Sequence, residues 1–439
     1  MTDIIKNIES SEESERPDSY WKYVKRQFKK NKRALVAIYM VFAFLLVAVF
    51  ADFLANEKPI SCTINGETHY PIFKSYLIEI GIVDKWPENL LNADWKNLNY
   101  ESVNWAWVPY SPETIDVFNS QYANPFEDQL VDDDKWHHKL GTDEIGRDVM
   151  AGLIHGTRTA FLVGTISMGI ATMIGLFLGA LAGYFGDGRV KVHRVQLYFG
   201  FFGAIIGYFY AFYVRSNALI EALSSGFVSS LFQIIISMLI FLFFIIFFYF
   251  LGKPLSGIKG LSTRVGVPMD TIVTRLIEIT VSVPRIILII SFTVVIEKPS
   301  LFHTMLIIGL TSWTGIARFT RAEMMKVGKM EYMEAAKAFG FGHLRAIFKH
   351  ALPNSLSPVF IAIAFGIASS VLIESTLSFL GIGVPAEMVT WGSLLMEGKR
   401  AMDCWWLIVC PGIAIFMMVT LFNLIGEGLT DALDPRQKK

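Results

Sequence analysis

Few side chains of this chain have the type and spacing that covalent chemistry needs. The sequence contains no G-x-x-x-x-G-K-[ST] phosphate loop, no H-E-x-x-H zinc motif and no G-x-S-x-G nucleophile motif. Cys62, Cys404 and Cys410 have neither the spacing of metal ligands nor that of a disulfide framework. We therefore expect a protein that is not an enzyme, that needs no cofactor or metal, and that does not bind ATP itself.

Glu374 is an ionisable residue inside an apolar run. Glu374 belongs to the apolar stretch 357–380. A charge at the centre of a membrane costs about 2.5–3.5 kcal/mol on insertion scales, so such a residue usually faces protein or water. Glu374 either lines a translocation path or holds helices together through hydrogen bonds, and the sequence leaves both interpretations open.

A second candidate is a polar segment that is interrupted by glycines. Residues 329–339 are good helix formers and include Glu334, Ala335 and Ala336. Gly340 can adopt a left-handed backbone conformation and end that helix. The small alanine side chains would let the helix lie close to another protein.

The same segment continues into a second short helix. Residues 343–351 fit one, and Leu352-Pro353 follows directly. Since proline cannot continue a helix without losing a hydrogen bond, we expect Pro353 to end it. The segment as a whole is then predicted to be a helix-turn-helix.

These candidates must be positioned by membrane helices. The chain has 439 residues, 53% of them hydrophobic, and runs of about 20 apolar residues stand between charged segments. Runs of that length cross the roughly 30 Å hydrocarbon core of a bilayer. The basic stretch Lys22–Arg33 precedes the first run, which is longer than the core of a signal peptide. The eight predicted spans are about 34–54, 160–184, 195–213, 227–251, 272–296, 302–317, 357–380 and 405–427.

The distribution of Lys and Arg predicts the orientation of these spans. Basic residues concentrate in the segments 185–194, 252–271, 318–356 and 428–439. The short segments between them, 214–226 and 297–301, carry one basic residue each, and Lys399 with Arg400 is an exception to the pattern. The positive-inside rule then predicts that both termini and the helix-turn-helix lie in the cytoplasm. We also expect Pro284 to kink the fifth span.

One segment on the outer side, about 55–158, is much longer than the others. It is rich in acidic residues and contains five tryptophans. Long ordered segments of this kind are usually functional. It is either a docking surface for an extracytoplasmic partner, or a cap that packs on the protein's own outer face with its aromatic residues at the interface.

The helix-turn-helix carries a recognisable pattern. Glu334-Ala335-Ala336, three further residues, Gly340 and then Leu352-Pro353 resemble the EAA loop of ABC-importer permeases. The resemblance implies that this loop docks on a separate ATP-binding subunit. The alternative is a basic loop that only anchors the neighbouring span to anionic lipid.

Two further motifs resemble one branch of that family, the C-type permease subunit of oligopeptide and dipeptide importers. The first is Leu140–Asp148 with Gly156–Thr159, where a structural role is expected rather than peptide contact. The second group begins at Glu374 and ends at Arg436: 374–385, 391–392, 405–406, 423–429 and 434–436. The resemblance covers about 137–187 and 268–437, whereas 188–267 looks like an inserted pair of spans.

The resemblance implies an all-α fold, a polytopic membrane helical bundle with the type I ABC importer permease core and about eight transmembrane helices. The expected parts are a cytoplasmic N-terminal segment 1–33, a first transmembrane helix 34–54, an extracytoplasmic loop or cap 55–158, a second transmembrane helix 159–187, the inserted pair 188–267, and a permease core 268–439 with the coupling loop 318–356.

The implied function is inward movement of oligopeptides or dipeptides, driven by ATP hydrolysis on partner subunits. The implied partners are a second homologous permease subunit, ATP-binding subunits, an extracytoplasmic peptide-binding protein and the lipid of the cell membrane, but no nucleic acid. Alternatives are an ABC importer for another small solute, such as nickel or an opine-like compound, and a secondary transporter. A membrane scaffold would have no need of a coupling loop.

Overall fold

The computed structural model describes residues 20–79, 81–83, 86, 90, 93–225, 227–257, 263–295, 300–385 and 388–433. Residues 1–19 of the predicted N-terminal segment, the end of the fifth predicted span at 296 and the motif residues 434–436 lie outside this part of the chain.

The described part is a bundle of helices with two small antiparallel sheets. The helices are α1 Tyr20–Lys30, α2 Lys32–Val49, α3 Ala51–Leu54, α4 Pro71–Glu79, α5 Val149–Phe185, α6 Arg194–Tyr208 with a π-helical turn Phe209–Tyr213, α7 Ser216–Ser225, α8 Phe227–Leu251, α9 Met269–Ser282, α10 Arg285–Val295, α11 Leu301–Val327, α12 Glu331–Ala338, α13 His343–Arg345 with a π-helical turn Ala346–Ala351, α14 Leu352–Ser355, α15 Ser357–Phe379, α16 Trp391–Arg400 and α17 Trp406–Leu433. The strands are β1 Ser61–Ile64, β2 Glu67–His69, β3 Ser102–Asn104, β4 Asp187–His193 and β5 Arg264–Pro268.

The predicted fold class, a polytopic helical membrane bundle, is confirmed. By length and apolar composition alone, the described residues contain six or seven candidate spans, compared with the predicted eight. Six helices of the described chain are long and apolar enough to cross a membrane: α2, α5, α6 with its π-helical turn, α8, α15 and α17. A seventh results if α9 and α10 are one span, bent by 79°. The break lies at Pro284, where a kink is predicted.

The predicted sixth span, 302–317, lies within α11 and is not among those six helices. One side of this helix is buried against α5 and includes polar residues such as His303, Thr304 and Thr320, whereas Leu310 is 48% and Phe319 50% exposed. Because protein surrounds the buried polar side chains, the helix tolerates them although they lower its hydropathy. A count of apolar residues therefore does not show whether α11 crosses the membrane.

Helix α5 begins earlier than the span predicted over 160–184. Asp148 caps its first turn, since the carboxylate accepts the backbone N–H of Ala151 at 2.6 Å. The motif residues Gly156–Thr159 are therefore inside the helix and not ahead of it. With 37 residues, α5 is about 55 Å long and extends beyond a hydrocarbon core of about 30 Å.

Helices α5 and α11 form the central packing of the bundle. Three glycines of α5, four residues apart, lie directly on the backbone of α11. A methyl group added at Gly179 would lie 2.6 Å from the carbonyl oxygen of Ala317, and one at Gly183 would lie 2.5 Å from that of Arg321. Gly175 approaches Trp313 and Ile316 in the same way. Small residues at this spacing let two membrane helices pack closely.

The two ends of α5 carry different structures. At its N-terminal end lies the segment 55–148, and the indole N–H of Trp406 at the start of α17 donates to the carbonyl of Thr142 there at 3.2 Å. At its C-terminal end α5 contacts the segment 331–355. Helix α1 lies beside the end of α17, where Asn31 donates to Asp431 at 3.0 Å.

The residues predicted as an inserted pair, 188–267, form a unit of their own. Helices α6 and α8 pack on each other through aromatic side chains, with Gly203 against the backbone of Phe244. Strands β4 and β5 pair below them, Lys191 opposite Gly266 and His193 opposite Arg264. We call this two-stranded sheet the ribbon; it connects the helix pair to the ends of α5 and α9.

Candidate functional site

The segment 331–355 forms two packed helices at the C-terminal ends of α5 and α11, and we call it the 331–355 hairpin. Its first helix, α12, ends as predicted at a glycine. Gly340 has φ +73°, and the N–H of Phe341 bonds back to the carbonyl of Ala336 at 3.1 Å. This bond closes the helix end in the manner of a Schellman motif, which needs a left-handed residue at this position.

The second helix of the hairpin differs from the prediction. Pro353 does not end it at 351, because helical backbone continues from His343 through a π-helical turn, Ala346–Ala351, to Ser355. Pro353 lies in the first turn of α14. A proline lacks the N–H that would bond to the residue four positions earlier, and its ring crowds that carbonyl. The wider π-helical turn directly ahead of Pro353 accommodates both effects.

One face of the hairpin is buried against the bundle. Met333, Ala336 and Ile347 are buried, and the hairpin packs with Tyr184 of α5 and Met324 of α11 in one apolar cluster. Leu352 is partly buried at its edge. Burial of each large side chain contributes about 1.5–3 kcal/mol, so the hairpin is firmly seated on the two central helices.

The opposite face of the hairpin exposes large apolar side chains. Phe339 is 80% exposed, Leu344 72% and Phe348 61%. Glu334 and Ala335 are also exposed, whereas Ala336 belongs to the chain's own core. Ala338 is exposed as well, so two of these three small side chains lie on the surface, and their contact with another protein stays a prediction.

Polar contacts fix the shape of the hairpin. The amide of Asn354 donates to the hydroxyl of Tyr332 at 3.2 Å and so joins the two helices. The ring of Phe341 stacks on His350, with 5.7 Å between ring centroids, and the guanidinium of Arg345 lies 5.6 Å from the centre of that phenyl ring. The exposed side chains are thus carried on a preformed backbone.

Glu374 lies in α15 and is 2% exposed. Its carboxylate accepts hydrogen bonds from the hydroxyls of Ser378 at 2.7 Å and Ser375 at 3.4 Å. Directly beside these serines, Gly392 of α16 lies so close that a methyl group added to it would be 2.5 Å from the carbonyl of Ser375. These contacts favour the structural interpretation of Glu374, while its place on a translocation path stays a prediction.

The motif Leu140–Asp148 builds the entrance to α5. The two ring nitrogens of the buried His138 face carboxylate oxygens, Asp148 at 2.9 Å and Asp116 at 3.3 Å. Arg147 pairs with the buried Asp143 at 2.6 Å. We call residues 138–148 the outer cap. Four of its groups, His138, Asp143, Arg147 and Asp148, are engaged in pairs, which favours the structural interpretation of this motif, whereas Glu144 is exposed.

The contact of the outer cap with Asp116 favours the ionised form of that carboxylate. Burial alone would raise the pKa of Asp116, but hydrogen bonds from Asn119 and His138 outweigh it, and the pKa of Asp116 is lowered. Gly146 has φ +92°, and a methyl group added there would lie 2.1 Å from the carbonyl oxygen of Asp116. The close approach explains why glycine is present at this position.

The fold and the hairpin define a polytopic membrane protein of the permease class. The comparisons with known protein families agree with this class. Residues 252–439 match the binding-protein-dependent transport system inner membrane component family, and residues 19–71 match the N-terminal TM domain of oligopeptide transport permease C.

Individual relatives give the same result. The dipeptide transport system permease protein DppC of Haemophilus influenzae is 30% identical over 301 residues, which are 68% of this chain and 75% of that protein. The di/tripeptide transport system permease protein DppC of Pseudomonas aeruginosa is 27% identical over 340 residues, 76% of this chain and 82% of its own. The dipeptide transport system permease protein DppC of Alkalihalophilus pseudofirmus is 23% identical over 421 residues, which are 96% of this chain and 91% of that protein.

The chain therefore belongs to the family of binding-protein-dependent transport system inner membrane components. It is a multi-pass membrane permease subunit of an ABC importer, as its motifs predict.

Sequence reasoning located the hairpin but not its exposed apolar side chains. Phe339, Leu344 and Phe348 are isolated in a basic segment, and without the fold nothing separates them from core residues. The glycines of α5 at 175, 179 and 183, four residues apart, are a signal of close helix packing that can be read in the sequence.

Proposed function

We propose that this chain is the C-type permease subunit of an importer of oligopeptides or dipeptides. Relatives that cover most of the chain are named for dipeptides or di/tripeptides, which supports this substrate class. The motifs at 140–148 and 374–385 support the same branch. Uptake of another small solute, such as nickel or an opine-like compound, is the competing outcome of a transport assay.

The ATP-binding subunit docks on the 331–355 hairpin. The observation that carries this proposal is the set of exposed apolar side chains, Phe339, Leu344 and Phe348, on a backbone that is seated on α5 and α11. A partner that buries one such side chain gains about 1.5–3 kcal/mol. The proposed coupling residues are Glu334, Ala335, Ala336, Gly340, Leu352 and Pro353, of which the exposed Glu334, Ala335 and Pro353 face the partner and the others maintain the hairpin.

The hairpin and both termini face the cytoplasm. Two observations support this orientation: the concentration of Lys and Arg in 318–356, and the position of α1 beside the end of α17. The segment that precedes α5 then lies outside. The same division gives an N-terminal segment to 33, an inserted pair over 188–267 and a permease core over 268–439.

An extracytoplasmic binding protein docks on the outer segment. Val117, Phe118, Phe126 and Leu130 are each at least 73% exposed there, among Glu127, Asp128 and Asp132–Asp134. The backbone that carries them is fixed, since Asn119 bonds to the backbone N–H of Leu130 at 2.8 Å and to its carbonyl at 3.0 Å. A fixed apolar surface surrounded by acidic side chains suits a partner whose own apolar contact surface is bordered by basic residues, because the charges are then complementary. A second, homologous permease subunit completes the path.

Transport in this proposal is a two-state change. Closure of the ATP-binding subunits moves the hairpin, and the close contact of Gly179 and Gly183 with α11 makes α5 and α11 move with it as one body. The outer ends of these helices then change the access to the path. ATP hydrolysis takes place on the partner subunits, and this chain supplies the mechanical connection.

Co-purification tests the docking proposal. We expect Phe339→Ser combined with Leu344→Ser to reduce recovery of the ATP-binding subunit at least tenfold, because two exposed anchors are lost. Phe118→Ser is the matched control, since Phe118 is also 80% exposed but lies in the outer segment. Uptake of a dipeptide into proteoliposomes must fall in parallel with recovery. Full recovery in the double variant would refute the docking site.

A further inference from the structure

The ribbon that carries the added helix pair is attached at the end of α5. Asp187, its first residue, accepts hydrogen bonds from Thr271 in the first turn of α9, from the hydroxyl at 2.6 Å and from the backbone N–H at 3.0 Å. Two residues further along the ribbon, Arg189 donates to the carbonyl of Tyr184, and its guanidinium lies 5.4 Å from the centre of the Tyr184 ring. The ribbon is therefore held on α5 at Tyr184.

Tyr184 also contacts the 331–355 hairpin. The side chain is 1% exposed, and its hydroxyl is 3.2 Å from Nδ1 of His343, the first residue of the second hairpin helix. The two rings meet edge to face, with 5.8 Å between centroids, and Phe185 contacts the His343 ring in the same manner. One side chain thus lies between the ribbon and the hairpin.

This contact differs in kind from the apolar packing around it. Met333 and Ile347 join the hairpin to α5 and α11 through van der Waals contacts, which permit small displacements. A hydrogen bond between two ring-borne groups is directional and weakens steeply when its geometry changes. The Tyr184–His343 bond, with Arg189 fixing the tyrosine, determines where the second hairpin helix begins relative to α5.

We propose that Tyr184 is a positioning residue of the hairpin, and that Arg189 makes the ribbon and its helix pair part of the coupling machinery. Helices α6 and α8 pack on each other and on the ribbon, whose two strands continue directly into α5 and α9. The contact of Arg189 with Tyr184 and the Asp187–Thr271 bonds fix the ribbon at this junction. When the hairpin moves, the ribbon and the helix pair move with it. The helix pair, embedded in lipid, in turn holds the hairpin in a fixed position relative to α5. The inference rests on the proposed coupling role of the hairpin.

The test compares variants of the complete transporter in proteoliposomes, with dipeptide uptake and ATP hydrolysis measured together. Tyr184→Phe removes the hydroxyl and keeps the ring; Arg189→Gln removes the cation and Arg189→Lys keeps it. We expect uptake per ATP hydrolysed to fall roughly threefold in the Phe and Gln variants, as loss of one net hydrogen bond gives. Arg189→Lys should retain most of the coupling. Arg194→Gln is the control, since Arg194 lies over Tyr198 on α6, away from the hairpin.

A second measurement addresses position directly. Hydrogen exchange of the full chain in nanodiscs, without its partners, should become about threefold faster over 343–351 in Tyr184→Phe and stay unchanged in Arg194→Gln. Normal uptake per ATP in Tyr184→Phe overturns the inference, including the case in which exchange is faster. Failure of the unaltered chain to bind the ATP-binding subunit would refute the proposed function itself. That result is distinct from normal coupling in Tyr184→Phe, which refutes only the role of Tyr184.

Discussion

The outer cap and the 331–355 hairpin lie at opposite ends of the same helix, α5, and both carry motifs of the family, but they are built in opposite ways. In the outer cap the buried side chains are charged or polar and bonded to one another, as His138 is to Asp148 and to the neighbouring Asp116. In the hairpin the buried side chains are apolar, and large side chains such as Phe339 are exposed. A motif that identifies a family is therefore not always a contact surface.

The difference has a physical basis. A buried polar network must be satisfied completely, so each buried charged residue of the outer cap depends on its partners, and substitution of such a residue acts on folding. An exposed apolar side chain contributes little to folding, because it is not buried in the isolated chain, and substitutions there act on binding. Variants in the two regions should separate stability from transport.

The largest expected effect is on stability, at the outer cap. Asp148→Ala removes the cap of α5 and leaves a buried nitrogen of His138 without its partner, which should cost about 2–4 kcal/mol of the free energy of unfolding. Thermal unfolding of the purified chain measures it. Glu144→Ala is the matched control, since Glu144 is an exposed residue of the same motif. Equal stability of the two variants would show that the buried polar contacts of Asp148 do not stabilise the fold, and would contradict the contrast between the outer cap and the hairpin.

The second effect is on transport, at the hairpin. Gly340→Val places a β-branched side chain at φ +73°, where strain is about 1–2 kcal/mol, although no atom lies within 4 Å of the added carbon. We expect membrane insertion to persist and ATP-coupled uptake to fall at least tenfold. Gly342 has φ −60°, and no atom lies within 4 Å of a carbon added there, so Gly342→Ala should leave uptake unchanged. Normal uptake with Gly340→Val would refute the assignment of the hairpin.

A smaller effect is expected at Glu374. If its carboxylate mainly accepts the hydroxyls of Ser375 and Ser378, the isosteric Glu374→Gln keeps an acceptor for them. Dipeptide uptake should then stay within about twofold of the unaltered chain, which is the scale of one weakened hydrogen bond. A selective change in which peptides are transported, with unchanged stability, would assign Glu374 to the translocation path instead.

The smallest effect concerns pH. The pKa of Asp116 is lower in the folded chain than in the unfolded chain, so its ionised form stabilises the fold above the unfolded value of 3.8. This contribution is lost as the pH falls through the lowered pKa. The melting temperature should therefore decrease more steeply below about pH 4 in the unaltered chain than in Asp116→Asn. Identical profiles would show that Asp116 contributes nothing.

Much of the architecture follows from the sequence, because lipid imposes long apolar helices and the positive-inside rule orders them. Gly340 is a clear case, since a glycine after a run of helix formers ends the helix as predicted. The failures occur where tertiary structure overrides local signals. Pro353 is accommodated by a π-helical turn, and α11 buries polar side chains against protein, so neither a proline rule nor a hydropathy sum describes them.

The candidate site was predictable in position and not in chemistry. Glu334 and Gly340 mark the hairpin in the sequence, but which of its side chains are exposed depends on how it lies on α5 and α11. The contacts of Tyr184 with Arg189 and with His343 join three separate parts of the chain. Contacts between a ribbon, a helix end and a hairpin that are far apart in the chain leave no periodic pattern in a single sequence.

Site-specific crosslinking tests the central claim most directly. A photoreactive phenylalanine analogue is placed at Phe339 in one chain and at Phe118 in another, two positions that are each 80% exposed at opposite ends of the bundle. The account predicts a crosslink from position 339 to the ATP-binding subunit and none from position 118. A crosslink to that subunit from 118, or its absence from 339 in a transporter active in uptake, would contradict the account.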